Sequence, residues 1–482
     1  MKKLCKTRFP LLDIIPFFLF IVCLILSGAA SAFGGWLYPL GETTDTPRFS
    51  DERVQLKSPS DTGNRPPLIY EGGDLFLGTG NLYEGFETPW GAVWQPQLWI
   101  FATMRSAVYY FDDGVQSPSA EWGNRLDIYA NLQLTGTEKI ILGMRPLDRN
   151  RLDRFSRVTF NDNRGGNEAE FNADIRTLFF EGDLGSLFPG LDPGGYKKLD
   201  YGFTVGRQLL LFQEGILLND EIDAVGLVRN NIRLPGVSNL RTSLLYGWNE
   251  VGRSSAVNVN DTSTNIFGMF NSADTYFTTI NLDLIYTKDA NEQTDEDAFY
   301  VGLSAIQRIG HFNTAFRVNT SFSEGANSAQ VGNGTLLSSE ISFTPRSSDD
   351  VVYLNTFVSA GNFTQAGREP VVGGPLGALG ILFASPSLGN FGSELNSFAD
   401  DVVGFALGYE AFWQNHRRSL TLEVAGRKDI TASGNGFDDI AVGFEFRQRL
   451  LHRLQLQIDG HYAFQESRDN GFGGRTELLY QF

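Results

Sequence analysis

Gly474-Arg475-Thr476-Glu477-Leu478-Leu479-Tyr480-Gln481-Phe482 places Leu478, Tyr480 and Phe482 on one face of a β-strand and Arg475, Glu477 and Gln481 on the other, because successive side chains of a strand point to opposite sides. A strand that spans a membrane inside a closed sheet must offer apolar side chains to lipid and polar ones to a wet interior. The competing reading is a soluble β-sandwich whose last strand ends in Phe482.

The same period of two recurs upstream. Trp122, Leu126, Ile128, Ala130, Leu132 and Leu134 oppose Arg125, Asp127, Tyr129, Asn131 and Gln133. Phe312, Thr314, Phe316, Val318, Thr320 and Phe322 oppose Asn313, Arg317, Asn319, Ser321 and Ser323, and Leu454, Leu456, Ile458, Tyr462 and Phe464 oppose Gln455, Gln457, Asp459, His461 and Gln465. Alternating segments of about ten residues are the pattern of a transmembrane barrel, whereas sandwich strands are shorter.

The connections sharpen this. Read backward from the last strand, short turns and long loops alternate, as they do when one end of a barrel is closed by tight turns and the other carries long loops. The short set comprises Gly136-Thr137-Glu138, Arg233 to Ser238, Asn271 to Asp274, Ile309-Gly310-His311, Pro345 to Asp350, Asn415 to Arg418, Leu451-His452-Arg453 and a Gly/Pro turn from Phe188 to Lys197. The long set comprises Asp112 to Ala120, Pro146 to Phe171, Leu209 to Asp223, Val251 to Asp261, Lys288 to Asp297, Glu324 to Gly334, Phe363 to Asp401, Lys428 to Phe437 and Glu466 to Gly473. These connections separate about 18 strands (16–18) of an all-β, antiparallel up-and-down transmembrane β-barrel, wide enough for an aqueous channel. The weakest strand is Thr262 to Phe270, without which the number would be odd.

At the other end, Lys2, Lys3, Lys6 and Arg8 precede an apolar run from Phe17 to Leu26 and then Ser27-Gly28-Ala29-Ala30-Ser31-Ala32. This is the pattern of a secretory signal peptide cleaved after Ala32; Val22 argues against lipidation of Cys23. Residues 1–32 are thus the expected signal peptide, 33–96 a Pro-punctuated irregular segment on the periplasmic side or touching the lumen, and 97–482 the barrel. Both cysteines, Cys5 and Cys23, fall in the segment to be removed. Its loss takes 39 Lys+Arg to 35 and 56 Asp+Glu to 55, a net charge of −20, which excludes nucleic acid as an expected partner. With 13% aromatic residues, 53 glycines and 4 methionines, the composition suits aromatic girdles and glycine-rich loops.

Parity assigns Arg105, Arg125, Asp127, Arg176, Arg241, Asp283, Arg317, Glu423, Arg427, Glu445, Arg447 and Asp459 to the lumenal faces. Two readings stay open: acid and base pair across strands to hold the wall, or the arginines form a track for an anionic solute, since guanidinium forks bind carboxylates and phosphates. The loop from Phe363 to Asp401 contains Val371, Gly373, Gly374, Pro375, Leu376, Ile381 and Phe383. A solvated loop should be polar, so this one is expected to fold inward and constrict the channel, the alternative being packing on neighbouring loops. Leu209-Leu210-Leu211-Phe212 in another long loop invites the same reading. The acidic residues of the long loops, Asp112-Asp113 and Asp400-Asp401 among them, read as a solvated surface.

The closing strand resembles the C-terminal signature of bacterial outer-membrane β-barrels. Tyr201-Gly202-Phe203-Thr204-Val205-Gly206-Arg207-Gln208, continuing through Phe212-Gln213-Glu214-Gly215 to Asp223-Ala224-Val225, resembles a strand-loop-strand pattern of porins, above all the alginate-export family. There Gly-Arg-Gln ends a strand and an Asp followed by small and apolar residues opens the next. What the resemblance implies is an outer-membrane porin or channel of a Gram-negative-type bacterium for passive diffusion of small polar or anionic solutes, carbohydrate among them. The alternative is a barrel sheath housing a periplasmic partner, or a polysaccharide-export pore. The expected partners are outer-membrane lipid and lipopolysaccharide, the barrel-assembly machinery and the solute. No enzyme is expected: His311, His416 and His452 fall in turns, and no serine or second histidine can be placed beside His461 and Asp459. No metal or cofactor motif occurs in the sequence.

Overall fold

The computed structural model describes residues 68–73, 84–149, 154–161, 166–191, 199–254, 258–261, 263–289, 296–325, 330–369, 372–414, 416–430, 438–466 and 468–482. The expected signal peptide, much of the segment 33–96 and Val371 lie outside them. Residues 64–412 and 417–482 form one compact unit, to which the strands described below belong.

The wall is a closed antiparallel barrel of 18 strands. In chain order they are β1 (Gln97–Asp112), β2 (Ser119–Gln133), β3 (Lys139–Met144), β4 (Ile175–Asp183), β5 (Gly202–Phe212), β6 (Leu218–Leu234), β7 (Val237–Trp248), β8 (Asn265–Asp274) and β9 (Thr278–Lys288). The second half comprises β10 (Ala298–Ile309), β11 (Phe312–Ser323), β12 (Gly334–Phe343), β13 (Val351–Phe363), β14 (Val402–Trp413), β15 (Arg418–Asp429), β16 (Asp439–Leu451), β17 (Leu454–Gln465) and β18 (Gly471–Gln481). Closure is made by β18 on β1, with Phe472 opposite Asp112 and Gln481 opposite Thr103.

Alternation decides which face is which. Trp122, Phe316, Val318, Phe322, Leu478 and Tyr480 are exposed on the outside, while Arg317, Arg475 and Glu477 are buried on the inside. Two turn assignments need correction. The turn expected at Asn271 to Asp274 lies at Thr275 to Phe277, with β8 running on to Asp274. Its polar residues belong to strand: Asn271 accepts a hydrogen bond from Thr242 of the neighbouring strand, and Ser272 faces the polar lumen, so turn-like chemistry here marks an interior surface. The loop expected from Leu209 to Asp223 is mostly strand, and only Gln213 to Leu217 connect β5 to β6.

Of the segment before β1, Tyr70–Gly72 pairs with β1 at Ile100, Trp99 and Leu98. Phe86–Glu87 and Val93–Trp94 form a small hairpin.

Candidate pore constriction

Two elements leave the wall and enter the lumen. The first is the end of the β5–β6 hairpin. Pairing of β4 with β5 stops at Leu178 and Arg207, and pairing of β6 with β7 begins only at Asp223 and Trp248, so residues 208–222 pair with no neighbouring wall strand and leave the barrel sheet as a hairpin. Gly206 makes the bend: its φ is +124°, and a Cβ there would come within 2.2 Å of the Leu178 carbonyl oxygen, a position that suits glycine alone. Past the bend, Ile216, Leu217, Leu218 and Ile222 are completely buried, and Gln213 donates to Asp283 of β9 at 2.7 Å.

The second element is the segment 364–401 between β13 and β14. It adds to the hairpin almost as a further strand: Ala366 N–H donates to the Leu217 carbonyl at 2.9 Å, Asn219 N–H to Gly367 at 3.0 Å and Glu369 N–H to Asn219 at 2.9 Å. A turn of 3-10 helix follows at Pro375–Ala378. Glu423 of β15 then accepts the N–H groups of Ile381 at 3.0 Å and Leu382 at 2.9 Å, giving buried backbone donors the partner they require. Leu376, Leu379, Leu382, Phe383 and Leu395 pack in one cluster with Ala406, Ala425, Ala441 and Ala463 of the inner wall. The last three are successive register partners on β15, β16 and β17, and alanine there leaves room for leucine and phenylalanine opposite. Each such side chain contributes roughly 1.5–3 kcal/mol on burial, which fixes the segment against the wall.

From this seat the segment crosses to β1 and β2. Arg105 donates to the Pro386 carbonyl at 3.1 Å and Arg125 to that of Ser387 at 3.0 Å. Asn390 donates to Glu121 at 2.9 Å, Phe391 packs against Tyr109 and Phe111, and Glu394 meets His461 Nδ1 at 2.8 Å. Strands β1, β2, β15 and β17 thus all hold one inward segment.

The expected lumenal charges fall into three groups. Arg105 with Glu477, Arg125 with Asp127, Asp459 with Arg475, and Arg447 with Glu445 are ion pairs along the wall. Arg176 joins Glu221 of the inward hairpin at 2.8 Å and Glu369 of the inward segment, Arg427 donates to the carbonyls of Asn396 and Phe398, and Glu423 and Asp283 hold backbone or side-chain donors as above. Arg241 differs: it is exposed and, among the described residues, has no carboxylate partner. It lines a cavity of about 510 Å³ with Leu209, Leu211, Asn281, Asp283, Ser304 and Arg317. A second cavity of about 870 Å³ shares Glu214 and Arg317 and adds Glu340, Tyr353 and Asn355. Arg317 is itself paired with Glu340 and lies 3.8 Å from Glu214.

Within the inward segment, Pro375, Leu376 and Phe383 are buried, Ile381 packs beside them, Gly373 has φ +77° and Gly374 lies against Ser397. Sequence reasoning missed Arg145, Glu221, Glu340 and Glu369. Arg145 bonds Asp127 at 2.8 Å and lies 3.5 Å from Glu369. Strand parity on β12 was signal enough for Glu340; Glu369 sits in a loop, where no period exists to read. Beside Arg145, burial pushes the Asp148 carboxyl, in the loop after β3, up to about 6.

No family model matches the chain, and no curated protein matches it. Among solved structures, a BenF-like porin from Pseudomonas fluorescens Pf-5 is similar at TM-score 0.55 and 11% identity, covering 80% of this chain and 98% of that one. OpdK of Pseudomonas aeruginosa with vanillate gives 0.52 at 13% identity, covering 80% and 98%. OccK2 (OpdF) of the same species in complex with glucuronate gives 0.51 at 11% identity, covering 80% and 98%. The shared feature is the fold, a closed antiparallel barrel of the porin type.

Proposed function

We propose that the chain is an outer-membrane channel through which small polar or anionic organic solutes diffuse passively, its bore set by the inward hairpin and the segment 364–401. The observation that carries this reading is the cavity between the inward hairpin and the wall: Leu209 and Leu211 on one side, and Arg241, Asn281, Asp283, Ser304 and Arg317 of the wall on the other. Such a passage suits a solute with an apolar body and an anionic group, because Arg241, which has no carboxylate partner among the described residues, can offer its fork to a carboxylate. Vanillate and glucuronate, found with two of the similar barrels, are both ring-bearing carboxylates. A sheath for a periplasmic partner, or an export pore for a polysaccharide such as alginate, needs a wider free lumen than these inward elements leave. On this reading residues 1–32 are removed on export, the apolar outer face sits among lipid and lipopolysaccharide, and the barrel-assembly machinery inserts the chain.

The reversal potential in a KCl gradient across a planar bilayer tests it. Wild type is expected to favour anions; a channel indifferent to charge would contradict the role given to Arg241.

A further inference from the structure

The inner face of β1 to β4 breaks the polar-inside rule, and among the described residues it lies outside both buried apolar clusters. Trp99, Asn131, Ile141 and Phe179 are register partners across the four strands, and in the next row so are Phe101, Tyr129, Gly143 and Thr177. Both rows share the face of Arg125 and Asp127, whose partners Ser387 and Arg145 lie in the lumen. Many other inward apolar residues are covered by the inward segment, as Phe357, Ala425 and Ala441 are, while the single residue Ile306 lines the cavity beside Arg241. Trp99, Phe101, Tyr129, Ile141 and Phe179 belong to neither buried cluster, and Phe101 is 38% exposed. A local rule broken with no inward element covering it among the described residues points to a ligand.

The chemistry around the patch narrows the ligand. Phe101 and Tyr129 stack at 5.6 Å between centroids and 23° between planes, presenting one broad aromatic surface. Gly143 leaves it open, since a Cβ there would come within 2.7 Å of the Tyr129 ring. Toward the short turns the next row holds Gln97, Gln133, Lys139 and Glu181, the last two joined at 2.7 Å; toward the long loops lie Asp127 and Arg125. An aromatic platform between two rows of amides and charges fits a pyranose, whose C–H face packs on rings while its hydroxyls find donors and acceptors at the rim. A bare anion would have no use for the rings.

We propose that Trp99, Phe101, Tyr129 and Phe179 form a sugar-ring subsite between the constriction and the short turns. This rests on the channel reading, and it names carbohydrate as a solute class that reading leaves open.

The test is the interruption of single-channel current by maltose, measured on the full mature chain. Wild type is expected to show block, Phe101→Leu with Tyr129→Leu to weaken it roughly tenfold or more, and Tyr129→Phe, which keeps the ring, to retain it. Unaltered block in the double variant would overturn the subsite, as would conductance with no block at all. Block that appears only after deletion of residues 33–67 would also overturn it, by making the patch a seat for that segment. Absence of any conductance would instead overturn the channel reading, and the subsite with it.

Discussion

The two halves of the lumen are built from the same alternating strands and do opposite things. On β14 to β17 the inward positions under the apolar part of the segment 364–401 are alanines, Ala406, Ala425, Ala441 and Ala463, all sealed beneath leucines and phenylalanine, with Glu423, Arg427 and His461 holding its polar groups. On β7 to β11 the corresponding surface carries Arg241, Ser272, Asn281, Ser304 and Arg317, which line open space. Small apolar residues make a seat for chain, and hydroxyl, amide and guanidinium groups make a passage. Side-chain size and polarity on an otherwise uniform sheet therefore decide where the bore runs.

The largest effect should come from spoiling the seat. Ala441→Arg would place a charge in the apolar cluster at a cost of several kcal/mol, unseat the segment and raise single-channel conductance several-fold, whereas the same change at an exposed outer position would not. Next is the passage itself: Arg241→Glu should leave conductance close to wild type and shift permeability several-fold toward cations, read as a change in reversal potential. Smaller still, Glu369→Gln removes one carboxylate from Arg145 and Arg176, which keep Asp127 and Glu221 respectively. We expect a loss of about 1–3 kcal/mol, seen as a lower Tm and more frequent current flicker. The smallest effect is with pH. Because the Asp148 carboxyl is raised to about 6, its charge is disfavoured in the fold, so protonation between pH 7 and 5 relieves that penalty and adds net positive charge beside Arg145. Anion preference should rise slightly over that range, and Asp148→Asn should abolish the change.

The wall was legible because lipid and water impose opposite demands on successive residues, so Trp122 to Gln133 or Phe312 to Ser323 could be read directly. The inward hairpin was legible only as an apolar stretch in a long connection, not as strand. Leu209-Leu210-Leu211-Phe212 has apolar residues on both faces, since Leu210 packs in the buried cluster with Phe212 against it, while Leu209 and Leu211 line the cavity, and the period of two disappears. Asn271 to Asp274 was read as a turn because lumenal and turn residues draw on the same chemistry. The apolar composition of the segment 364–401 set it apart from a solvated loop, but which wall it would meet depended on Ala425, Ala441 and Ala463, which come together only through register. The charge partners in loops, Glu369 above all, had no periodic signal to betray them.

The most direct measurement is single-channel conductance of the refolded protein with and without residues 373–388. A steady open conductance that increases on deletion is the predicted result, since this stretch carries Leu376, Leu382 and Phe383 of the seat and the carbonyls held by Arg105 and Arg125. Equal conductance in both forms, or none in either, would contradict a channel whose bore is set by its own inward segment.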